Sequence, residues 1–293
     1  MVTKIIDGKQ IAEAIRQQLK KEVAELSTQH IIPGLGVILV GDDPASRSYV
    51  TAKEKACGEM GIYSRDHRLS SDTTEEELIE LVNSLNIDPA IHGILVQLPL
   101  PAHIDEKKVL ETIVPEKDVD GFSPINVGRM VLGQKTFLPC TPHGVLKLLE
   151  YSNILTEGKH VVIVGRSNIV GKPLANMLIQ KSSSGNATVT VCHSRTRDIG
   201  AMTRQADIVI AAVGSPALIT KDMVKEGAVV IDVGVNRVTD PSRKRGFRLC
   251  GDVDFDSLVG HVSHLTPVPG GVGPLTITML LFNTIESAKA AGE

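Results

Sequence analysis

Residues 160–173 read HVVIVGRSNIVGKP. HVVIV is a β-branched run of strand length that ends at Gly165, and the stretch opening at Gly171 suits a helix. Strand, glycine-bearing turn and helix together make a cradle for a pyrophosphate. Glycine lets the backbone approach the ligand, and the helix N-terminus offers unpaired N–H groups at a positive dipole end. Gly165, Arg166, Ser167 and Gly171 would carry that turn. The spacing departs from G-x-G-x-x-G, and taken alone it also fits an ordinary βα turn.

The neighbouring segments weigh toward the cradle. ATVTVCH (187–193), DIVIAAVG (207–214) and AVVIDVG (228–234) repeat the strand signal, with helical stretches between them. They are rich in β-branched residues and lack polar alternation, as expected of parallel strands covered on both faces. In a fold specific for NAD, an acidic residue closes the second strand and binds the ribose hydroxyls. Here that strand ends Cys192-His193-Ser194-Arg195, with no acid. A hydroxyl and a guanidinium suit a 2′-phosphate, and Arg166 could join them, so the residues favour NADP over NAD. As isolated charges, Arg195 and Arg197 would fit a solvated loop equally well. The AAVGSP and DVGVN turns end two further strands at the same carboxyl edge, where open α/β sheets bind ligands.

The first half carries its own alternation. Residues 8–28 place Ile11, Ile15, Leu19, Val23 and Leu26 at helical spacing. LGVILVG (35–41) is a buried strand, and a helix follows from about Pro44 to Met60. A strand near 63–69, a helix over 74–85 capped by Thr73 or Thr74, and the strand IHGILVQLPLP (91–101) complete the pattern. A helix across 142–151 marks the domain boundary, residues 236–249 read as a surface hairpin or loop, and a long helix over 274–290 closes the chain.

Composition bounds the function. Hydrophobic residues make up 42% of 293, charged residues 22%, and the formal net charge is -3, which argues against a basic nucleic-acid binder. No stretch reaches the roughly 18 apolar residues of a membrane helix. The four cysteines, Cys57, Cys140, Cys192 and Cys250, are scattered without a C-x-x-C, so reduced cytosolic thiols are expected and a metal site is not.

Several first-half residues could do chemistry. SRSYVTAKEKAC puts Tyr49 and Lys53 at i, i+4 on one helix face, with Ser46 near it. A desolvated lysine can hand on protons near neutrality, although a surface Tyr–Lys pair at this spacing is common. Gln97 ends a strand, where a buried amide needs partners and an ammonium is a fitting one. PEKDVDGF brings Asp118 and Asp120 into one turn, where each could cap backbone or bind a ligand N–H pair. TPVPGGVGPLT (266–276) sets glycines between prolines just before a helix, a loop able to approach a flat ligand closely.

YVTAKEKAC, VQLPLP, PEKDVDGF, GRSNIVGKP and TPVPGGVGPLT, in this order, resemble the bifunctional methylenetetrahydrofolate dehydrogenase/cyclohydrolase family over essentially the whole chain. The resemblance implies two α/β domains. An N-terminal folate-binding catalytic domain would comprise 1–142 and 276–293, with the last helix returning to it, and a Rossmann-like NADP-binding domain 143–275. It implies NADP-dependent oxidation of 5,10-methylenetetrahydrofolate to the methenyl cation, then hydrolysis to 10-formyltetrahydrofolate. By motif, Lys53 would act in proton transfer, tuned by Gln97. Tyr49 would position the folate beside Ser46, and Asp120 would bind the pterin edge. Pro269, Gly270, Gly271 and Val272 would line the folate side. Gly165, Arg166, Ser167, Ile169, Ser194, Arg195 and Val235 would contact NADP. A cytoplasmic homodimer with a role in purine biosynthesis is also implied. Leu275 stands where many relatives have Met, and the SSSGNAT loop is a little long. A shikimate dehydrogenase-like enzyme and a non-catalytic dinucleotide sensor share the layout, but neither has a use for Lys53, Gln97, Asp120 and the PGGVGP loop together.

Overall fold

A computed structural model describes residues 1–243 and 246–292. The chain forms two compact units. One comprises Ala14–Cys140 and the chain from Ile277 on, and the other comprises Met1–Glu13 and Thr141–Thr276. Each boundary falls inside a helix.

Through the first half the elements are β1 (Lys4–Ile5), α1 (Gly8–Thr28), β2 (Gly34–Val40), α2 (Pro44–Met60), β3 (Tyr63–Leu69), α3 (Glu75–Ile87), β4 (Gly93–Val96), α4 (Glu106–Thr112), α5 (Pro124–Val131) and α6 (Cys140–Tyr151). β2, β3 and β4 make a parallel three-stranded sheet with β2 in the centre. Every residue of β2 is buried, which explains its unbroken apolar run, whereas the edge strand β3 is polar from Ser64 to Arg68 and has no fully buried residue. Ile38, Val40, Ile94 and Val96 from the sheet pack with Leu78, Val82 and Leu85 of α3 and Val109 of α4. α3 starts with a reciprocal capping box. Thr74 accepts from the Glu77 N–H, and the Glu77 carboxylate accepts from the Thr74 N–H.

The remaining elements are β5 (His160–Val164), α7 (Gly171–Leu178), β6 (Thr188–Cys192), α8 (Ile199–Thr203), β7 (Ile208–Ala211), β8 (Val229–Asp232), β9 (Asn236–Thr239), β10 (Phe247–Cys250), α9 (Phe255–Leu258), β11 (His264–Leu265) and α10 (Gly273–Gly292). Six strands form a parallel sheet in the order β1-β11-β8-β7-β5-β6. The chain leaves β5 for β6 on one side and returns to β7 on the other, so strand order reverses beside β5. Ligand crevices form at such a switch point, beyond the carboxyl ends of the strands. The core pairs Val162, Val164, Val209 and Val230 of the sheet with Val224, Leu258 and Val262.

Three features differ from the pattern read in the sequence. β6 is an edge strand in which Cys192 alone is buried, not a strand covered on both faces. The short helices α4 and α5 gave no signal of their own, because seven and eight residues hold too few turns for a periodicity. Residues 1–13 belong to the unit of the second half, because β1 pairs with β11 at Lys4↔His264 and Ile5↔Leu265. The 236–249 segment is the antiparallel hairpin β9–β10, and its Lys244 and Arg245 lie outside the described residues. α10 beyond Ile277 packs with the first-half unit. There Arg16 donates to Thr278 Oγ1 at 2.9 Å, and Lys289 meets Glu22 at 2.7 Å.

Candidate active site

α2 opens on Asp43, whose carboxylate accepts from the Ser46 N–H at 2.7 Å, with Pro44 in the first turn. One helix face then carries three different environments. Ser46 is buried, Tyr49 is 46% exposed, and Lys53 is only 9% exposed. A buried ammonium needs partners. Lys53 Nζ donates to Gln97 Oε1 at 3.1 Å. Gln97 is fixed in turn: its backbone N–H donates to Ile38 O at 2.8 Å, and its Nε2 donates to Leu98 O at 2.7 Å. With the amide nitrogen occupied, the amide oxygen is the end that faces Lys53.

The two carboxylates of the PEKDVDGF turn divide their work. Asp118 is buried and accepts from the Phe122 N–H at 3.2 Å, the Ser123 N–H at 2.8 Å and Asn126 Nδ2 at 2.9 Å. It shapes the turn. Burial pushes its carboxyl up to about 6 despite those donors. Asp120, two residues on, faces Cys140 and the Lys53 charge instead. Burial raises its pKa, while the Lys53 charge and a hydrogen bond with Cys140 pull it down. Cys140 Sγ also donates to Val119 O at 3.3 Å, and burial with the Asp120 charge holds this thiol well above its ordinary range. Asn283 of α10 donates to Val119 O at 2.7 Å and to Leu138 O at 3.0 Å, pinning the same turn. The first-half unit therefore assembles an ammonium, an amide oxygen and a carboxylate of raised pKa.

The other unit holds the glycine turn. At Gly165 φ is +132°, and an added Cβ would lie 2.2 Å from Ala212 O at the end of β7. The cradle thus closes against the neighbouring strand end, with no room for a side chain. Ser167 Oγ accepts from the Val170 N–H at 3.1 Å and the Gly171 N–H at 3.4 Å, which holds the entry to α7. Arg166, Ser167 and Ile169 are exposed beyond β5. Ser194 and Arg195 are exposed beyond the adjacent β6, where the Arg195 N–H donates to His193 Nδ1 at 3.1 Å. Val235, past β8, is 46% exposed. Pro269, Gly270, Gly271 and Val272 form the turn into α10, with Pro269 exposed and Gly271 and Val272 buried. Cys140 was not singled out by the sequence, since only the fold brings residues 120 and 140 together. Among the described residues no group of His, Cys, Asp and Glu could hold a metal ion.

A glycine-turn sheet with basic and hydroxyl side chains at its switch point, and a separate α/β unit in which a buried Lys53 meets the half-buried Gln97 and Asp120, define a dinucleotide-linked α/β enzyme. Residues 6–120 match "Tetrahydrofolate dehydrogenase/cyclohydrolase, catalytic domain", and residues 139–292 match "Tetrahydrofolate dehydrogenase/cyclohydrolase, NAD(P)-binding domain". The chain belongs to the tetrahydrofolate dehydrogenase/cyclohydrolase family. It is 59% identical to the bifunctional protein FolD of Moorella thermoacetica over 99% of this chain and 100% of that protein. A crystal structure of bifunctional FolD from Campylobacter jejuni superposes with a TM-score of 0.92 at 51% identity, covering 98% of this chain and 99% of that one. The Trypanosoma brucei enzyme, solved with NADP and an inhibitor, gives 0.94 at 42% identity, covering 99% and 98%.

Proposed function

We propose that this chain oxidises 5,10-methylenetetrahydrofolate with NADP+ and hydrolyses the resulting methenyl cation to 10-formyltetrahydrofolate. The observation that carries the reading is the Lys53 Nζ–Gln97 Oε1 hydrogen bond, with Asp120 under the Lys53 charge. The domain assignment follows. The unit carrying Lys53 serves as the folate-binding catalytic domain, and the unit carrying Gly165 serves as the NADP-binding domain.

NADP+, when bound, accepts the hydride that leaves the methylene carbon. The residues of this chain fit that cofactor. Gly165 and the α7 N-terminus take the pyrophosphate, and Arg166, Ser194 and Arg195 take the 2′-phosphate. Ser167, Ile169 and Val235 complete the contacts. Hydride transfer needs orientation more than acid–base chemistry. Asp120 supplies part of that orientation by accepting from the pterin amino and ring N–H groups, and Tyr49 supplies part through its exposed ring, next to Ser46. Pro269, Gly270, Gly271 and Val272 line the folate from their own turn.

Hydrolysis does need a proton carrier. Water adds to the methenyl carbon and its oxygen gives up both protons: one is released to solvent, and the other reaches N5 as the carbon–N5 bond breaks. Lys53 Nζ holds and hands on that proton. Gln97 Oε1 fixes where Nζ points.

A cytoplasmic homodimer supplying one-carbon units to purine biosynthesis completes the proposal. Four free thiols fit a reducing compartment, and the edge strand β3 offers a pairing edge to a second copy. The test is the dehydrogenase kcat/KM with NADP+ and with NAD+. A preference for NADP+ that disappears in Arg195→Glu is expected, and equal use of the two cofactors by the unaltered chain would overturn the NADP assignment.

A further inference from the structure

Asp252 is fully buried just past β10, and both of its oxygens are spent on loop groups. Oδ2 accepts from the Val213 N–H at 2.6 Å and the Gly214 N–H at 3.0 Å. Oδ1 accepts from the Ser215 N–H at 2.9 Å and from Asn236 Nδ2 at 2.8 Å. The first three donors are consecutive in the turn after β7, and the fourth opens β9 after β8. One carboxylate thus joins the two loops that leave the carboxyl ends of β7 and β8.

A second buried carboxylate holds the first in place. Asp232 Oδ1 accepts from the Asp252 N–H at 2.9 Å and the Gly234 N–H at 3.0 Å, and its Oδ2 accepts from the Val253 N–H at 3.0 Å. The Asp232 N–H donates to Thr266 Oγ1 at 2.7 Å, which ties in the start of the TPVPGGVGP loop. The fit leaves no slack. A Cβ on Gly234 would lie 2.2 Å from Asp252 Oδ1, and one on Gly251 would lie 1.7 Å from Asp232 Oδ2.

Two buried carboxylates are a costly way to hold turns whose only task is to fold. Their bonds run to loop backbone at the ligand edge of the sheet. A dinucleotide spans the switch point of such a sheet. With the 2′-phosphate end at β6 and the pyrophosphate at β5, the nicotinamide half falls to the loops after β7 and β8. We propose that Asp252 is a positioning residue for the dinucleotide, setting the Val213–Ser215 turn and Asn236, and with them the exposed Val235 against which the nicotinamide half docks. Asp232 is its support. This rests on the placement of NADP given above.

The experiment measures three variants of the full chain: Asp252→Asn, Asn236→Ala and Val235→Asp. Each is assayed for KM of NADP+, dehydrogenase kcat, and hydrolysis of methenyltetrahydrofolate supplied without cofactor. Asp252→Asn puts an NH2 where N–H donors need an acceptor, and it should raise the KM for NADP+ about tenfold or more. Asn236→Ala removes one bond from a partly exposed side chain and should raise it about threefold. It keeps the test open if Asp252→Asn does not fold. Support of the fold alone would lower both activities in step with the folded fraction and leave that KM unchanged, which overturns the proposal. An unchanged KM in Asn236→Ala and Asp252→Asn, with a raised KM in Val235→Asp, also overturns it while the NADP placement stands. An unchanged KM in Val235→Asp overturns the placement itself, and the proposal with it.

Discussion

Replacing Lys53 by Met separates the proton chemistry of this enzyme from everything else it does. Methionine has nearly the length of the lysine stem and no charge, and the site is already 91% shielded, so the buried volume is kept. The loss is confined to Nζ: its 3.1 Å bond to Gln97 Oε1, and its field on Asp120 and Cys57. A positioned acid–base group contributes about 10²–10⁴ in rate, so cyclohydrolase kcat should fall by about that factor. The orphaned Gln97 oxygen costs about 1–3 kcal/mol if it finds no water, partly offset because a buried charge is removed as well. A shift in Tm of no more than a few degrees follows. The dissociation constant of NADP+ should stay within about twofold, since no group of the glycine turn is touched. Hydrolysis is followed as the decay of supplied methenyltetrahydrofolate, NADP+ binding by titration, and Tm by thermal melting. A Lys53→Met protein that hydrolyses the methenyl compound at more than half the normal rate would refute the role of Lys53.

Other perturbations test other links. Gly165→Ala forces a side chain into a φ of +132° against Ala212 O, and it should cost at least about 1–3 kcal/mol in urea unfolding and abolish NADP+ binding. Asn283→Ala frees Leu138 O and leaves Val119 O with its Cys140 Sγ donor, and should lower stability by about 1–3 kcal/mol while weakening folate binding more than NADP+ binding. Arg195→Glu should raise the KM for NADP+ by about tenfold or more and leave that for NAD+ nearly unchanged, read by steady-state kinetics. Asp118 has its folded carboxyl at about 6, against about 3.9 unfolded, so the folded state binds the extra proton between those values. Its contribution to stability is full below about pH 4 and lost as pH rises through 6. His143, pushed down to about 4 by burial, acts in the opposite direction over the same window, so the readout is a difference. Unfolding free energy of the unaltered chain minus that of Asp118→Asn should be larger at pH 4 than at pH 7 by about 1–3 kcal/mol.

Legibility in the sequence followed the range of the physics. β2, β5, β7 and β8 announced themselves because strands buried on both faces read as unbroken apolar runs. β3 and β6 are edges; both read as strands, over 63–69 and 187–193, but nothing local told that β6 lies at an edge and is not covered on both faces. Tyr49 and Lys53 shared a face by helical arithmetic, and Gln97 found an ammonium because a buried amide must find some partner. The division of labour between Asp118 and Asp120 was not legible. It depends on which carboxylate meets the Phe122 and Ser123 N–H groups, a matter of backbone direction within one turn. Cys140 beside Asp120, β1 beside β11, and Asp252 beneath the Val213–Ser215 turn are pairings across long stretches of chain, and no local pattern encodes them.

One chain performs both the oxidation and the hydrolysis, and a single time course can follow the two together. The most direct measurement supplies the purified protein with 5,10-methylenetetrahydrofolate and NADP+ and quantifies NADPH, methenyl product and 10-formyl product over time. NADPH should equal the sum of the two folate products, with the 10-formyl compound forming far faster than methenyl alone hydrolyses in buffer. NADPH matched by methenyl product that decays only at the buffer rate would contradict it.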